Sequence, residues 1–318
     1  MNALWLITGA GGFIGARVCR LLEARGEPFV GLLRPGEARP PAPGAAPWPA
    51  ERFRVVDLRD PQAVTSCVAE LAPARILNLA AVGVAPAGGE ALSDFVRVNV
   101  LAPGLLFEAL RAGGVLVQAG SMAQYAEAAG ALHEESTPRA DATPYAWSKN
   151  AAETLLETLA VRQPRAVVRA RLFGVMGPGE GPHRLLPSIV AGRAAGRPIE
   201  LSDGLQVRDG LHVDEVAAAL VHLARTPALF GRAVNVGRGE GRSVRWIAER
   251  AARRLGCEGL LRFGALPRRP GEPEERVADV ARLAGSGFAP SLDFERTVDL
   301  AVDQLVAAFA AARAGEPT

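Results

Sequence analysis

An apolar run, Leu4-Trp-Leu-Ile-Thr8, passes directly into Gly9-Ala-Gly-Gly-Phe-Ile-Gly15. This junction constrains the fold more than any other stretch of the chain. A short apolar run closed by glycine reads as a buried parallel strand. The next segment places Ile14, Val18, Leu21 and Leu22 on one face and reads as an amphipathic helix over 13–24. Gly9, Gly12 and Gly15 stand at i, i+3 and i+6. Glycines at such a strand–turn–helix junction allow a tight turn, close approach of backbone N–H groups to a pyrophosphate, and close helix–strand packing. The spacing alone is weak evidence, because 35 of the 318 residues are glycine. Its place between a strand and a helix carries the argument. A dinucleotide is expected here, against Gly9, Gly12, Phe13, Ile14 and Gly15.

The rhythm continues. Strands are expected at 29–33, 54–56, 75–80, 115–119 and 166–173, and helices at 61–71, 92–112 and 144–161. Regular alternation of this kind gives an α/β fold, a Rossmann doubly wound parallel sheet. Residues 35–50, rich in Pro, Ala and Gly, read as a surface loop. Beyond about Met176 the pattern loosens into helices at 185–195, 213–223 and 244–255 with short strands between them. That part reads as a smaller, less regular C-terminal lobe for substrate. The expected division is a dinucleotide-binding domain over 1–175, with returns near 205–237, and a mainly substrate-binding lobe over 176–318.

Lysine and arginine total 36, yet Lys149 is the only lysine, and there are only two tyrosines. Lys149 falls four residues after Tyr145, so both lie on one face of the helix over 144–161. Thr143 and Pro144 suit its N-cap and first turn. The chemistry needs such a pair. A phenol, with a pKa of about 10, exchanges protons poorly at neutral pH. A nearby ammonium, with the positive nicotinamide ring, favours the phenolate. Ser121 follows the fifth strand at the carboxyl edge of the sheet, where such folds carry their active sites. Its hydroxyl suits the orientation of a carbonyl or alcohol. Ser121, Tyr145 and Lys149 are therefore the expected catalytic set, with Tyr145 and Lys149 also beside the nicotinamide ribose.

An acidic residue closing the second strand would favour NAD by bonding the ribose hydroxyls. That place reads Leu32-Leu33-Arg34. Arg34 suits a 2′-phosphate instead, so NADP(H) is favoured, with NAD as the alternative.

With these residues in place, the chain resembles the extended short-chain dehydrogenase/reductase family of nucleotide-sugar epimerases, dehydratases and reductases. The resemblance runs from Thr8 to about Leu305. It is carried by Thr8–Gly15, Asp57-Leu58, Leu79-Ala80-Ala81, Val98-Asn99-Val100, Ser121 with Tyr125, Tyr145–Lys149 and Arg171–Pro178. Gln206–Asp214, Asn235–Gly237 and Arg268–Glu272 extend it. It implies that Asp57 and Leu58 flank the adenine. It also implies that Leu79, Ala80 and Ala81 line the cofactor with Asn99 nearby, and that Arg208 and Arg269 grip the substrate's phosphates. There are departures. Gly174 and Met176 stand where the family often has Asn and Tyr. Met122 and Ala123 replace the Asp-Glu pair of 4,6-dehydratases, and Asn78 stands where the strand often ends in histidine. The expectation is an NADP(H)-dependent reductase of a keto group, C4 of a nucleotide-linked keto-deoxysugar. The alternatives are an NAD-dependent 4-epimerase and, in another class, a non-catalytic NADP-binding protein. By analogy with the family, a homodimer is expected through helices near 92–112 and 144–161.

Composition removes other classes. A net charge of +2, spread without long blocks, offers no footprint for nucleic acid or anionic membrane. No apolar run approaches the length of a membrane span. Cys19, Cys67 and Cys257 form no cluster and read as free thiols, with no metal site. A cytoplasmic location is expected.

Overall fold

In a computed structural model describing residues 3–40, 48–83, 91–141, 143–269 and 271–314, the apolar runs pair side by side. The strands are β1 (Trp5–Thr8), β2 (Phe29–Leu33), β3 (Phe53–Val55), β4 (Arg75–Asn78), β5 (Val115–Ser121), β6 (Ala166–Leu172) and β7 (Ala233–Val236). They form one sheet in the order β7-β6-β5-β4-β1-β2-β3, parallel throughout. The chain builds β1 to β3 outward in one direction, then returns to place β4 on the other side of β1. That reversal opens a crevice beyond the carboxyl ends of β1 and β4, where doubly wound folds bind ligands.

Every residue of β1 and β2 is buried, as strands covered on both faces must be. Trp5 and Ile7 pack on one side with Val18 and Leu22 of α1 (Phe13–Ala24), while Leu6 packs on the other with Val64 and Val68 of α2 (Pro61–Leu71). Leu106 and Phe107 of α3 (Ala102–Ala109) and Leu156 of α4 (Pro144–Ala160) complete that second face. Each such side chain contributes about 1.5–3 kcal/mol when fully buried.

A separate core joins α5 (Leu185–Ala195), α7 (Val244–Leu255) and α8 (Phe294–Ala314) through Ile189, Ile247, Phe294 and Val298. The helix α6 (Val213–Leu223) returns instead to α1, and Arg17 grips Asp214 with both carboxylate oxygens engaged.

Three expectations need correction. The helix expected over 92–112 is three pieces: Leu92–Asp94, a π-helix over Phe95–Leu101, and α3. Pro103 has no N–H to donate to the Asn99 carbonyl and crowds it, which opens the preceding turn. The segment 35–50 is not only surface. Residues 41–47 lie outside the described part, but Trp48 is buried edge-on against Phe29 and Phe53 and donates to the Pro40 carbonyl. Finally, the 21-residue α8 has no counterpart among the expected helices, although Val298, Ala301, Val302 and Leu305 form its buried stripe. Among the described residues, no helix is long and apolar enough to cross a membrane.

Candidate active site

The glycine turn holds its shape because nothing larger fits. Gly9 has φ +64°, and a Cβ there would lie 2.9 Å from the Ala80 nitrogen. A Cβ on Gly15 would lie 2.1 Å from the Gly9 carbonyl oxygen. Among the described residues no side chain caps α1, and its first turn has no acidic residue. Its free N–H groups and the positive end of the helix dipole suit an anion.

A cavity of about 520 Å³ opens beside this turn. Gly9, Gly12, Arg34, Asp57, Leu58, Leu79, Ala80 and Ala81 all line it. Phe13, Ile14 and Gly15 take other places. Phe13 packs near Gly179, Ile14 packs on the core, and Gly15 sits under Gly9. Asn99 lies behind the wall. Its amide accepts from the Val82 nitrogen and donates to the Val82 carbonyl and to Ser148 Oγ of α4. It braces the cavity wall against the helix that carries Tyr145 and Lys149.

Asn78 also acquires a role. Thr8 Oγ1 donates to its Oδ1 at 2.5 Å, its Nδ2 donates to Gln118 Oε1 at 2.7 Å, and Gln118 Nε2 donates to the Ala119 carbonyl. Lys149 Nζ donates to that same carbonyl at 2.9 Å. A buried polar line therefore runs from the glycine strand across β4 to the lysine. Thr8 Oγ1 in turn accepts from the nitrogens of Leu79 and Ala80.

One carboxylate at this cavity was not expected, because the end of the second strand, where an acid would favour NAD, reads Leu32-Leu33-Arg34. Glu37 lines the cavity, accepts at 2.9 Å from the Arg34 nitrogen, and stands over Gly11. It lies one turn beyond β2, and the chain folds back to present it. Asp57 is held below the usual carboxylate range by its hydrogen bond with Arg59.

The structure brings Ser121, at the end of the fifth strand, to Tyr145, and Lys149 to the same side of the helix as Tyr145. Ser121 ends β5 and caps the short turn Met122–Gln124, accepting from the Ala123 nitrogen while Gln124 Oε1 accepts from its own nitrogen. Thr143 caps α4 by accepting from the Ala146 nitrogen, with Pro144 in the first turn. Lys149 Nζ lies 5.7 Å from the centre of the Tyr145 ring. Burial pushes Tyr145 above its ordinary value, against a hydrogen bond with Ser121 and the charge of Arg184. Burial also brings Lys149 down to about 8, so the ammonium still predominates at neutral pH. The other tyrosine has a different environment. Tyr125 is buried, donates to Asn235 Oδ1, lies under the Arg171 guanidinium, and is pushed up to about 12 by burial. It is part of the core.

A second cavity, of about 510 Å³, begins at Met122, next to Ser121. Arg208 and Arg269 both line it. Arg208 donates to Glu272 at 2.8 Å, while Arg268 is taken up by Asp203 and Glu274 and leaves Arg269 for the cavity. Glu180 and Arg184 line the same cavity, and neither was expected from sequence. They follow Gly177-Pro-Gly179, whose loop punctuation at the carboxyl edge of the sheet was the available signal.

The profile of the NAD dependent epimerase/dehydratase family matches residues 5–237. A dTDP-4-dehydro-6-deoxy-D-allose reductase from Streptomyces bikiniensis is 30% identical over 296 residues, covering 88% of this chain and 89% of that protein. A dTDP-glucose 4,6-dehydratase from Xanthomonas campestris pv. campestris (strain B100) is 27% identical over 327 residues, covering 95% and 92%. Among solved structures, Thermus thermophilus UDP-glucose 4-epimerase in complex with NAD superposes with a TM-score of 0.82 at 30% identity, covering 95% of this chain and 98% of that one.

Proposed function

The chain belongs to the NAD dependent epimerase/dehydratase family. On that premise we propose that it is an NADP(H)-dependent reductase of a keto group, C4 of a nucleotide-linked keto-deoxysugar. The observation that carries this reading is the Ser121–Tyr145–Lys149 set together with two cavities, the second of which begins at Met122, next to Ser121. One is lined by the glycine turn and the other by Arg208 and Arg269. Cofactor binding is assigned to residues 1–175 with returns near 205–237, and substrate binding mainly to 176–318.

The residues fit a dinucleotide. A Cβ would fill the turn at Gly9, and α1 presents free N–H groups there. The cofactor, when bound, supplies the hydride. Tyr145 gives its phenolic proton to the carbonyl oxygen as that oxygen gains charge, and the phenolate regains a proton from solvent. Ser121 donates a hydrogen bond to the same oxygen. Lys149 keeps positive charge beside Tyr145 and stabilises the phenolate. Arg208 and Arg269 offer forked donors to a diphosphate. A 4,6-dehydratase is disfavoured because Met122 and Ala123 have no group to protonate a leaving hydroxyl.

A second reading, an NAD-dependent 4-epimerase, is favoured by Glu37. Its carboxylate stands at the cofactor cavity near Arg34 and suits ribose hydroxyls better than a 2′-phosphate. Denaturing the purified protein and identifying any dinucleotide released separates the two. An empty site that takes NADPH more tightly than NADH supports the reductase. Retained stoichiometric NAD overturns it in favour of the epimerase.

We further propose a homodimer. Leu92, Val96, Leu101 and Trp147 are large apolar residues exposed on the segments over 92–101 and on α4. Light scattering at the monomer mass would overturn this.

A further inference from the structure

The end of the second cavity next to Ser121 has an apolar wall of Met122, Val175 and Met176, and Glu180 joins the lining with Asp209, whose carboxylate is already taken by the nitrogens of Arg238, Gly239 and Ala278. The Glu180 side chain is 8% exposed. Its Oε1 lies 3.8 Å from Nε of Arg184, and its Oε2 has no hydrogen-bond partner among the described residues. Arg184 is half-exposed, so solvent screens much of what it offers. A buried carboxyl so weakly served is costly. Burial accordingly pushes it up to about 7. The fold keeps an acid in a ligand cavity where a neutral side chain would be cheaper, and among the described residues only a backbone hydrogen bond from Gly177 and the half-exposed Arg184 serve it.

We propose that Glu180 is a specificity-determining residue of this cavity, which admits a neutral, hydroxyl-bearing sugar ring and turns away a ring that carries a carboxylate. This rests on the nucleotide-sugar reading and adds the chemical class of the sugar. A neutral ring satisfies Glu180 in either protonation state, because a hydroxyl donates to the carboxylate and also accepts from the acid. An anionic ring would meet a second carboxyl on one side, so that the two could not both ionise without cost, and methionine on the other. The cation within reach, Arg184, already faces Glu180. Arg208 and Arg269 are kept for the phosphates.

The test is calorimetric titration of the full-length chain with free UDP and free dTDP. The glucose and glucuronate derivatives of whichever nucleotide binds more tightly are titrated next. The wild type is expected to prefer the glucose derivative. Glu180→Gln keeps the shape and removes the charge. It should narrow that preference on the order of tenfold, mainly by tighter binding of the glucuronate derivative. Arg184→Gln should widen it. An unchanged preference in Glu180→Gln with a wild-type melting temperature overturns the assignment, as does a narrowed preference in Arg184→Gln. If the wild type binds neither free UDP nor free dTDP, the nucleotide-sugar reading itself falls.

Discussion

The two cavities are built differently. The first is made of backbone. Glycine geometry, strand ends and free N–H groups shape it, and its residues come in short contiguous runs. The second is made of side chains. Arginines and acids brought from 180–184, 208–209 and 269–272 line it, and Arg208 and Glu272 hold each other in place. A backbone cradle serves every dinucleotide of the same shape. A side-chain cavity can change its ligand with a single substitution. On the proposed function, the first would hold the cofactor and the second would choose the substrate.

The sharpest way to break this contrast is at Tyr145, which lines neither cavity. Tyr145→Phe removes one hydroxyl and should lower kcat/KM by about 10²–10⁴-fold while leaving dinucleotide affinity within about twofold. Steady-state kinetics beside a fluorescence titration decides it. Comparable losses in both would mean that Tyr145 shapes the cradle rather than the reaction.

Lys149→Met should lose on the order of 100-fold in turnover, and it also tests the polar line behind the cradle. The folded-state pKa of Lys149, about 8, lies below its ordinary value of 10.5. Between those values the unfolded chain holds more protons, so this group makes stability rise with pH there and lowers it as pH falls through 8. The wild type should therefore gain melting temperature relative to Lys149→Met between about pH 8 and 10. Parallel melting curves across that range would show that the ammonium is not desolvated in the fold.

At the second cavity, Arg208→Gln should raise the dissociation constant for a nucleoside diphosphate by roughly tenfold, about the worth of one charge-assisted hydrogen bond. Dinucleotide affinity should not move. A shift in both would erase the division of labour between the cavities.

The smallest effect is expected at the rim of the first cavity. Arg34→Ser should reduce NADPH affinity relative to NADH, and Glu37→Ala should act in the opposite direction, each by about three- to tenfold. Paired titrations decide which residue governs. A silent Arg34→Ser would leave Glu37 in control and move the function toward the epimerase.

The glycine turn, the sheet alternation, the capped helix of Tyr145 and Lys149, and the serine at the strand end were all legible in the sequence. Each depends on neighbours within a few positions, where spacing and propensity act directly. Tertiary structure alone decided that Tyr125 is core, through Asn235 and Arg171 far along the chain, whereas Tyr145 was already singled out by Lys149 four residues on. It alone gave Asn78 its link between Thr8 and Gln118, buried Trp48, and carried Glu37 and Glu180 to cavity walls. Those outcomes turn on which distant segments pack together and how far burial strips water from a charge. Neither quantity has a local spacing from which it could be read.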